Sequence, residues 1–183
     1  LSDVETEVVE YKSAKNNFDF DDLGKYFSAL SNEANLRHAD AGWLLFGVRN
    51  DRTICGTGYR KEAHEPSVGL RKLKHEVALY TNSGMTFEEI YELTIERQLV
   101  VVFQIPPASF ATPTTWKGVP YSRENESIVQ MPAFKLTAIY SQARPDWSSQ
   151  LAYDANVGDL DSDAVAFACE EYSKKYAPRQ RAI

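Results

Sequence analysis

The run Glu5-Thr6-Glu7-Val8-Val9-Glu10-Tyr11-Lys12 places three carboxylates and an ammonium within eight residues. Its alternation reads as a β-strand, with Val8 and Glu10 on one side and Glu7, Val9 and Tyr11 on the other. Clustered carboxylates repel one another unless a divalent cation or a base sits between them, which is how metal-dependent phosphodiester hydrolysis is built. If this strand lies beside the later apolar run Gly42–Val48, the turn carrying Asp51 can approach Glu5 and Glu10. Glu5 and Glu10 have opposite parity on an ideal strand, so joint action requires Glu5 to precede the strand or sit at a bulge. The simpler reading of the same residues is an edge strand blunted by charge.

A second constellation is cationic. Arg71, Lys74 and His75 share one face of an expected helix, with Lys72 beside them, and Lys12, Lys117 and Arg123 lie elsewhere in the chain. Such a face can seat phosphates; a wetted helix face balanced by Glu76 uses the same residues. Tyr59, Trp116 and Tyr121 fall in or beside loops, where aromatic rings can stack on bases. Other chemistries find no support. There is no Gly-x-x-x-x-Gly-Lys-Ser/Thr cradle and no Gly-x-Gly-x-x-Gly. His38, His64 and His75 stand at no zinc-ligand spacing, and Ser148-Ser149 lacks a nucleophile elbow.

The elements that must position these residues follow from periodicity. Asp19, Asp21 and Asp22 supply an N-cap and first-turn carboxylates for a helix from about Asp21 to Asn35, with Leu23, Tyr26, Phe27, Leu30 and Ala34 on one face. Gly42-Trp43-Leu44-Leu45-Phe46-Gly47-Val48 is apolar without alternation, the pattern of a strand buried on both faces. After the turn Arg49–Arg52, Thr53–Gly56 is expected to return as its hairpin partner. Leu70, Leu73, Val77 and Tyr80 mark a second helix that stops near Gly84. Thr86–Ile95 and Leu99–Ile105 read as antiparallel strands around Arg97-Gln98, ended by Pro106-Pro107. Gly118–Arg123 is a short strand, Met131–Gln142 a third helix, Ala143–Asp161 irregular, and Ser162–Tyr176 a fourth helix. Mostly hairpin-linked strands mixed with helices give an α+β class: a mixed, mostly antiparallel sheet packed with helices as a sandwich.

At 183 residues, 43% hydrophobic and 25% charged, the chain has the balance of a soluble globular protein with a proper core. A formal net charge of −6 argues against coating nucleic acid by bulk charge and leaves room for a local basic face. Cys55 and Cys169, far apart in sequence, suggest core thiols of a cytoplasmic protein. No apolar run is long enough to cross a bilayer and no secretory signal opens the chain. The chain starts at Leu1 without a methionine and stops at Ile183, so it is read as part of a longer protein.

Taken together, these segments resemble the Schlafen AlbA-type domain, also called the divergent-AAA DNA-binding domain. The resemblance rests on Glu5–Lys12, on Phe27-Ser28-Ala29-Leu30-Ser31-Asn32 in a helix, on Gly42–Val48 with Ile54-Cys55-Gly56, and on Ile105-Pro106-Pro107 followed by Pro120-Tyr121-Ser122-Arg123-Glu124-Asn125. It covers roughly Glu5 to Pro132. Residues 1–132 are accordingly expected to form this domain, and 133–183 a helical extension like that of bacterial transcriptional-regulator members. The resemblance implies an α/β sandwich and nucleic-acid binding. In animal Schlafen proteins the same core cleaves structured RNA through an acidic triad. Here Glu5 and Glu10 match the two glutamates of a Glu-x-x-x-x-Glu-x-Lys motif, and Lys12 its lysine. The triad's aspartate is expected just after Gly-Val, where this chain has Arg49, with Asp51 as a displaced substitute. The glycine usual after the Tyr-x-Arg arginine is missing, and Asn125, tolerant of the left-handed region, can replace it.

The leading expectation is a non-catalytic nucleic-acid-binding module of a bacterial transcriptional regulator, with DNA favoured over RNA. Lys12, Arg71, Lys74, Lys117 and Arg123 would meet phosphates and Tyr121 or Trp116 would stack. No cofactor is expected on this reading. The alternative is a metal-dependent endoribonuclease in which Glu5, Glu10 and Asp51 hold Mg²⁺ or Mn²⁺. A third is an oligomerisation module, a homo-oligomer built by pairing exposed strands; no membrane partner is expected on any of them.

Overall fold

The computed structural model describes residues 7–15, 17–59, 66–125, 127–143 and 156–176. Glu5 therefore lies outside the described residues. The chain divides into two compact units, Leu1–Ala143 and Arg144–Ile183. The first is built from β1 (Val9–Lys12), α1 (Phe20–Leu36), β2 (Gly42–Phe46), α2 (Pro66–Ala78), β3 (Glu89–Ile95), β4 (Gln98–Ile105), β5 (Thr115–Trp116), β6 (Val119–Glu124), β7 (Ser127–Gln130) and α3 (Ala133–Tyr140). The second contains α4 (Ser162–Tyr176), all of whose residues are exposed.

Helix α1 is the centre of the first unit. Asp19 caps it, its carboxylate accepting from Asp22 N at 3.0 Å, and Asp21 and Asp22 meet the positive end of the helix dipole. Its apolar residues Leu23, Phe27 and Leu30 are fully buried against Leu44, Phe46, Phe103 and Ile105 of a four-stranded sheet, together with Leu73 and Val77 of α2. That sheet runs β1-β2-β4-β3, parallel between β1 and β2 and antiparallel elsewhere. The other side of α1 is buried too, but is polar. Asn32 Nδ2 donates to Thr114 O and Tyr121 O, both at 2.9 Å, Thr114 N donates back to Asn32 Oδ1 at 2.8 Å, and Ser28 Oγ donates to Thr114 O at 2.8 Å. These bonds fasten the small sheet β5-β6-β7 to the helix. The sandwich is thus sheet, helix, sheet. No helix among the described residues is long and apolar enough to cross a membrane.

Two local expectations need correction. Thr53–Gly56 does not return as a strand: a single bridge joins Val48 and Ile54. Gly47 turns the chain at φ +90, and its carbonyl accepts from both Cys55 N and Gly56 N, at 2.8 and 3.0 Å, so the ladder ends there. The antiparallel neighbour of β2 is instead β4, with Phe46 opposite Val101. The β3–β4 turn is centred on Glu96-Arg97, at φ +51 and +64, the mirror-image turn whose twist suits a tight hairpin. Asn125 does take the left-handed conformation, at φ +55, and it turns β6 into a strand the sequence did not announce, β7.

Candidate nucleic-acid interface

Strand β1 pairs with β2 so that Glu10 lies opposite Leu44, on the covered face of the sheet. Its carboxylate is 3% exposed. Lys12 Nζ stands 2.6 Å from Oε1 and Arg123 Nη2 stands 2.7 Å from Oε2. Arg123, also 3% exposed, donates from Nη1 to Val9 O at 2.7 Å. The approach of Arg123 to Glu10 is an oblique ion pair: Oε2 and Nε are left without hydrogen-bond partners among the described residues. Thus the Glu-x-x-x-x-Glu-x-Lys segment and the Tyr-x-Arg segment are two halves of one buried ion pair joining the large sheet to the small one.

The network extends through α1 to α3. Glu33, 1% exposed, receives Lys135 Nζ and the backbone N–H of Arg123, and Arg37 Nε lies 3.6 Å away. Burial pushes the Glu33 carboxyl above its usual range, against the pull of Lys135. For Lys12, burial acts to lower the pKa, but Glu10 and the Tyr26 hydroxyl prevail and hold it above 10.5. A lysine raised in the folded state contributes stability that is complete below its unfolded pKa and is lost as pH rises through the folded value. Lys12→Met should therefore cost about 1 kcal/mol near neutrality, and the gap from the parent should close above pH 10.5. Urea unfolding across that range checks this; a gap constant with pH refutes it.

Two members of the expected triad, Glu10 and Asp51, are engaged by other partners, and Glu5 lies outside the described residues. Glu10 is held by two cations. Asp51 is exposed, its carboxylate accepting from Thr53 N at 2.9 Å, and that bond holds its pKa below the usual value. Among the described residues no group of three His, Cys, Asp or Glu side chains is placed to hold a metal ion.

The expected phosphate contacts also separate. Lys12 and Arg123 converge on Glu10. Arg71 and Lys74 line a groove between α2 and β3 that also contains Glu89 and Glu92, and Lys74 pairs with Glu89 at 3.2 Å. Lys117 pairs with Asp21 at 2.5 Å and lies over the Tyr80 ring. Tyr121 is half-buried against the core, while Tyr59 and Trp116 are core rings, 6% and 2% exposed.

Sequence reading passed over Lys15 and Arg97, which the fold brings to one groove of about 320 Å³. Lys15 follows β1, and Arg97 is the tip of the β3–β4 hairpin. The loop Gly56-Thr57-Gly58 stitches the two together: Thr57 N donates to Leu99 O at 2.8 Å, Thr57 Oγ1 to Ala14 O at 2.5 Å, and Gly58 N to Lys15 O. Gly56 sits at φ +71, in the left-handed region that favours glycine, and a Cβ there would press on the Gln98 side chain. Both cations are exposed, and neither has an ion-pair partner among the described residues. Arg49 and Arg52 lie at the same end of the sheet, with Asp51 and Glu96 as the nearby acids in sequence. The only sequence signal was a cation in each of two polar loops; the sheet order makes them neighbours.

Comparison with known proteins gives four findings. No curated protein matches the chain. The DIP2311 protein from Corynebacterium diphtheriae has a similar fold, with 17% identity and a TM-score of 0.52; the match covers 94% of this chain and 30% of that one. The N-terminal domain of a RecG-related protein from Nitrosomonas europaea is 16% identical with a TM-score of 0.42, over 71% of this chain and 85% of that one. The family model described as Schlafen, AlbA_2 matches residues 5–132, which take in both halves of the buried Glu10–Arg123 pair and the Lys15–Arg97 groove. The chain belongs to the Schlafen AlbA_2 family.

Proposed function

We propose that this chain carries a nucleic-acid-binding module that does not cleave its ligand, the DNA-contacting part of a longer transcriptional regulator. The observation that carries the reading is the groove holding Lys15 and Arg97, two exposed cations without carboxylate partners among the described residues. Cations already neutralised inside a protein gain little from a phosphate; unneutralised ones release counterions when they meet it. A local site of this kind is compatible with a net charge of −6, because at physiological salt distant charges are screened within about 8 Å. The non-catalytic side of the reading draws on Glu10, whose two oxygens already face Lys12 and Arg123. An incoming divalent cation would have to displace both.

Fluorescence anisotropy with labelled duplex and single-stranded oligonucleotides tests this. Binding should fall steeply with salt, and Lys15→Ala/Arg97→Ala should weaken it about tenfold at low salt and reduce the salt slope by about 2. Sequence preference should change little, because phosphate contacts position rather than specify. Absent affinity at low salt, or an unchanged double variant, refutes the proposal. Arg123→Ala is the wrong probe, since it removes a buried structural ion.

A further inference from the structure

We propose that the outer face of the four-stranded sheet is an interface between two copies of this chain, packed face to face with their strands antiparallel. The starting point is a mismatch between strand composition and burial. β2 and β4 are apolar on both faces, the composition of strands covered twice. The helices cover one face, burying Leu44, Phe46, Phe103 and Ile105 fully, whereas on the other face of β2 and β4 Val100 alone is fully buried, at 1% exposed. On the opposite face Trp43, Leu45 and Val102 are only half-buried, and Tyr91, Leu93 and Ile95 of β3 remain 41%, 44% and 39% exposed.

The pairing register makes these residues one surface. Tyr11 lies opposite Leu45, Leu45 opposite Val102, and Val102 opposite Tyr91, while Leu93 lies opposite Val100. An apolar band therefore crosses all four strands. Patches of this extent on a soluble domain mark a binding surface.

Composition and charge select the occupant. The centre of the band is aliphatic, suited to sheet-on-sheet packing at about 10 Å, and its aromatics sit toward the rim. The end where β1 and β2 begin carries Glu7, Asp40, Glu88 and Glu89, partly countered by Arg37 and Lys74. The end where they finish carries Lys15, Arg49, Arg52 and Arg97, partly countered by Asp51 and Glu96. A twofold axis through the face lays each acidic end on the partner's basic end. Nucleic-acid bases on this face would instead carry their phosphates toward the acidic end. Four strands about 4.8 Å apart and five residues long give a footprint of roughly 300 Å² on each copy, the size of a weak, reversible contact. The contact leaves the outer backbone edges of β1 and β3 free and is thus distinct from strand-edge pairing.

Sedimentation equilibrium of the whole chain tests this up to about 100 µM, a range chosen for an interface of this size. A monomer–dimer equilibrium is expected, weakened about tenfold or more by Leu93→Lys, which puts a charge into the apolar face where β3 contributes to it. Ile95→Lys, at the strand end, is the second variant should Leu93→Lys lower the melting temperature. Leu79→Lys, an exposed site just beyond α2, should leave the dimer intact. Three results overturn the proposal. The parent could stay monomeric at every concentration. It could dimerise equally well with lysine at both 93 and 95. Or a monomeric parent could lose oligonucleotide binding through Leu93→Lys, which would assign the face to bases.

Discussion

Arg123→Ala should lower the free energy of unfolding by about 3–5 kcal/mol, the range for breaking a buried ion pair by removing one partner. Arg123 and Glu10 are each 3% exposed, so the truncation leaves a carboxylate in the interior with Lys12 as its remaining cation and takes a donor from Val9 O. The cost is dominated by the charge left behind rather than by the net worth of the pair. Replacing both members with apolar residues of similar size discriminates between these terms. Glu10→Leu/Arg123→Met should unfold within about 1 kcal/mol of the parent, because the desolvation of two charges disappears along with their attraction. Urea denaturation followed by tryptophan fluorescence measures both variants. A loss below about 1 kcal/mol for Arg123→Ala would mean that water reaches the pair and that it does not join the two sheets.

The second large effect concerns a glycine in the second turn of α1. A helical glycine is ordinarily a defect, and replacing it with alanine gains about 1 kcal/mol. Gly24 should do the opposite. A Cβ built there lies 2.0 Å from Cδ2 and Cε2 of Trp116, a ring 2% exposed and hemmed by Phe20 and Tyr80 at centroid distances of 5.3 and 5.4 Å. Overpacking of this kind costs about 1–3 kcal/mol or more, so steric exclusion outweighs propensity and Gly24→Ala should be destabilising by about 2 kcal/mol. Trp116→Ala alone should cost about 3–5 kcal/mol. In that background the obstacle is gone, and Gly24→Ala should become stabilising by about 1 kcal/mol. The reversal of sign is the test. A stabilising Gly24→Ala in the parent would show that the indole can move aside at little cost.

How much of this could be read in advance depends on the range of the interaction. The Asp19 cap, the helical spacing from Leu23 to Ala34, the apolar strands at Gly42–Phe46 and Leu99–Ile105, the helix Ser162–Tyr176 and the left-handed Asn125 are all set by neighbours within a few residues. Such features are written in local periodicity and backbone preference, so they survive without knowledge of the fold. The hairpin expected at Thr53–Gly56 failed for the complementary reason: its residues are competent for a strand, but Gly47 diverts the ladder and β4 takes the place beside β2. Composition likewise announced that β2 should be buried twice, yet only the coordinates reveal which face lies open.

The motif residues were therefore visible as types but not as roles. Glu10 and Arg123 invite metal and phosphate readings when listed along the chain, and become an internal ion pair once the small sheet is fastened across α1. Lys15 and Arg97 attract no notice in sequence, and become neighbours because β4 lies next to β2 while β1 runs parallel to it. Local chemistry determined the elements of this protein. Only the sheet order and register decided which charges cancel inside and which are left facing water, because that depends on contacts between residues that the chain itself keeps far apart.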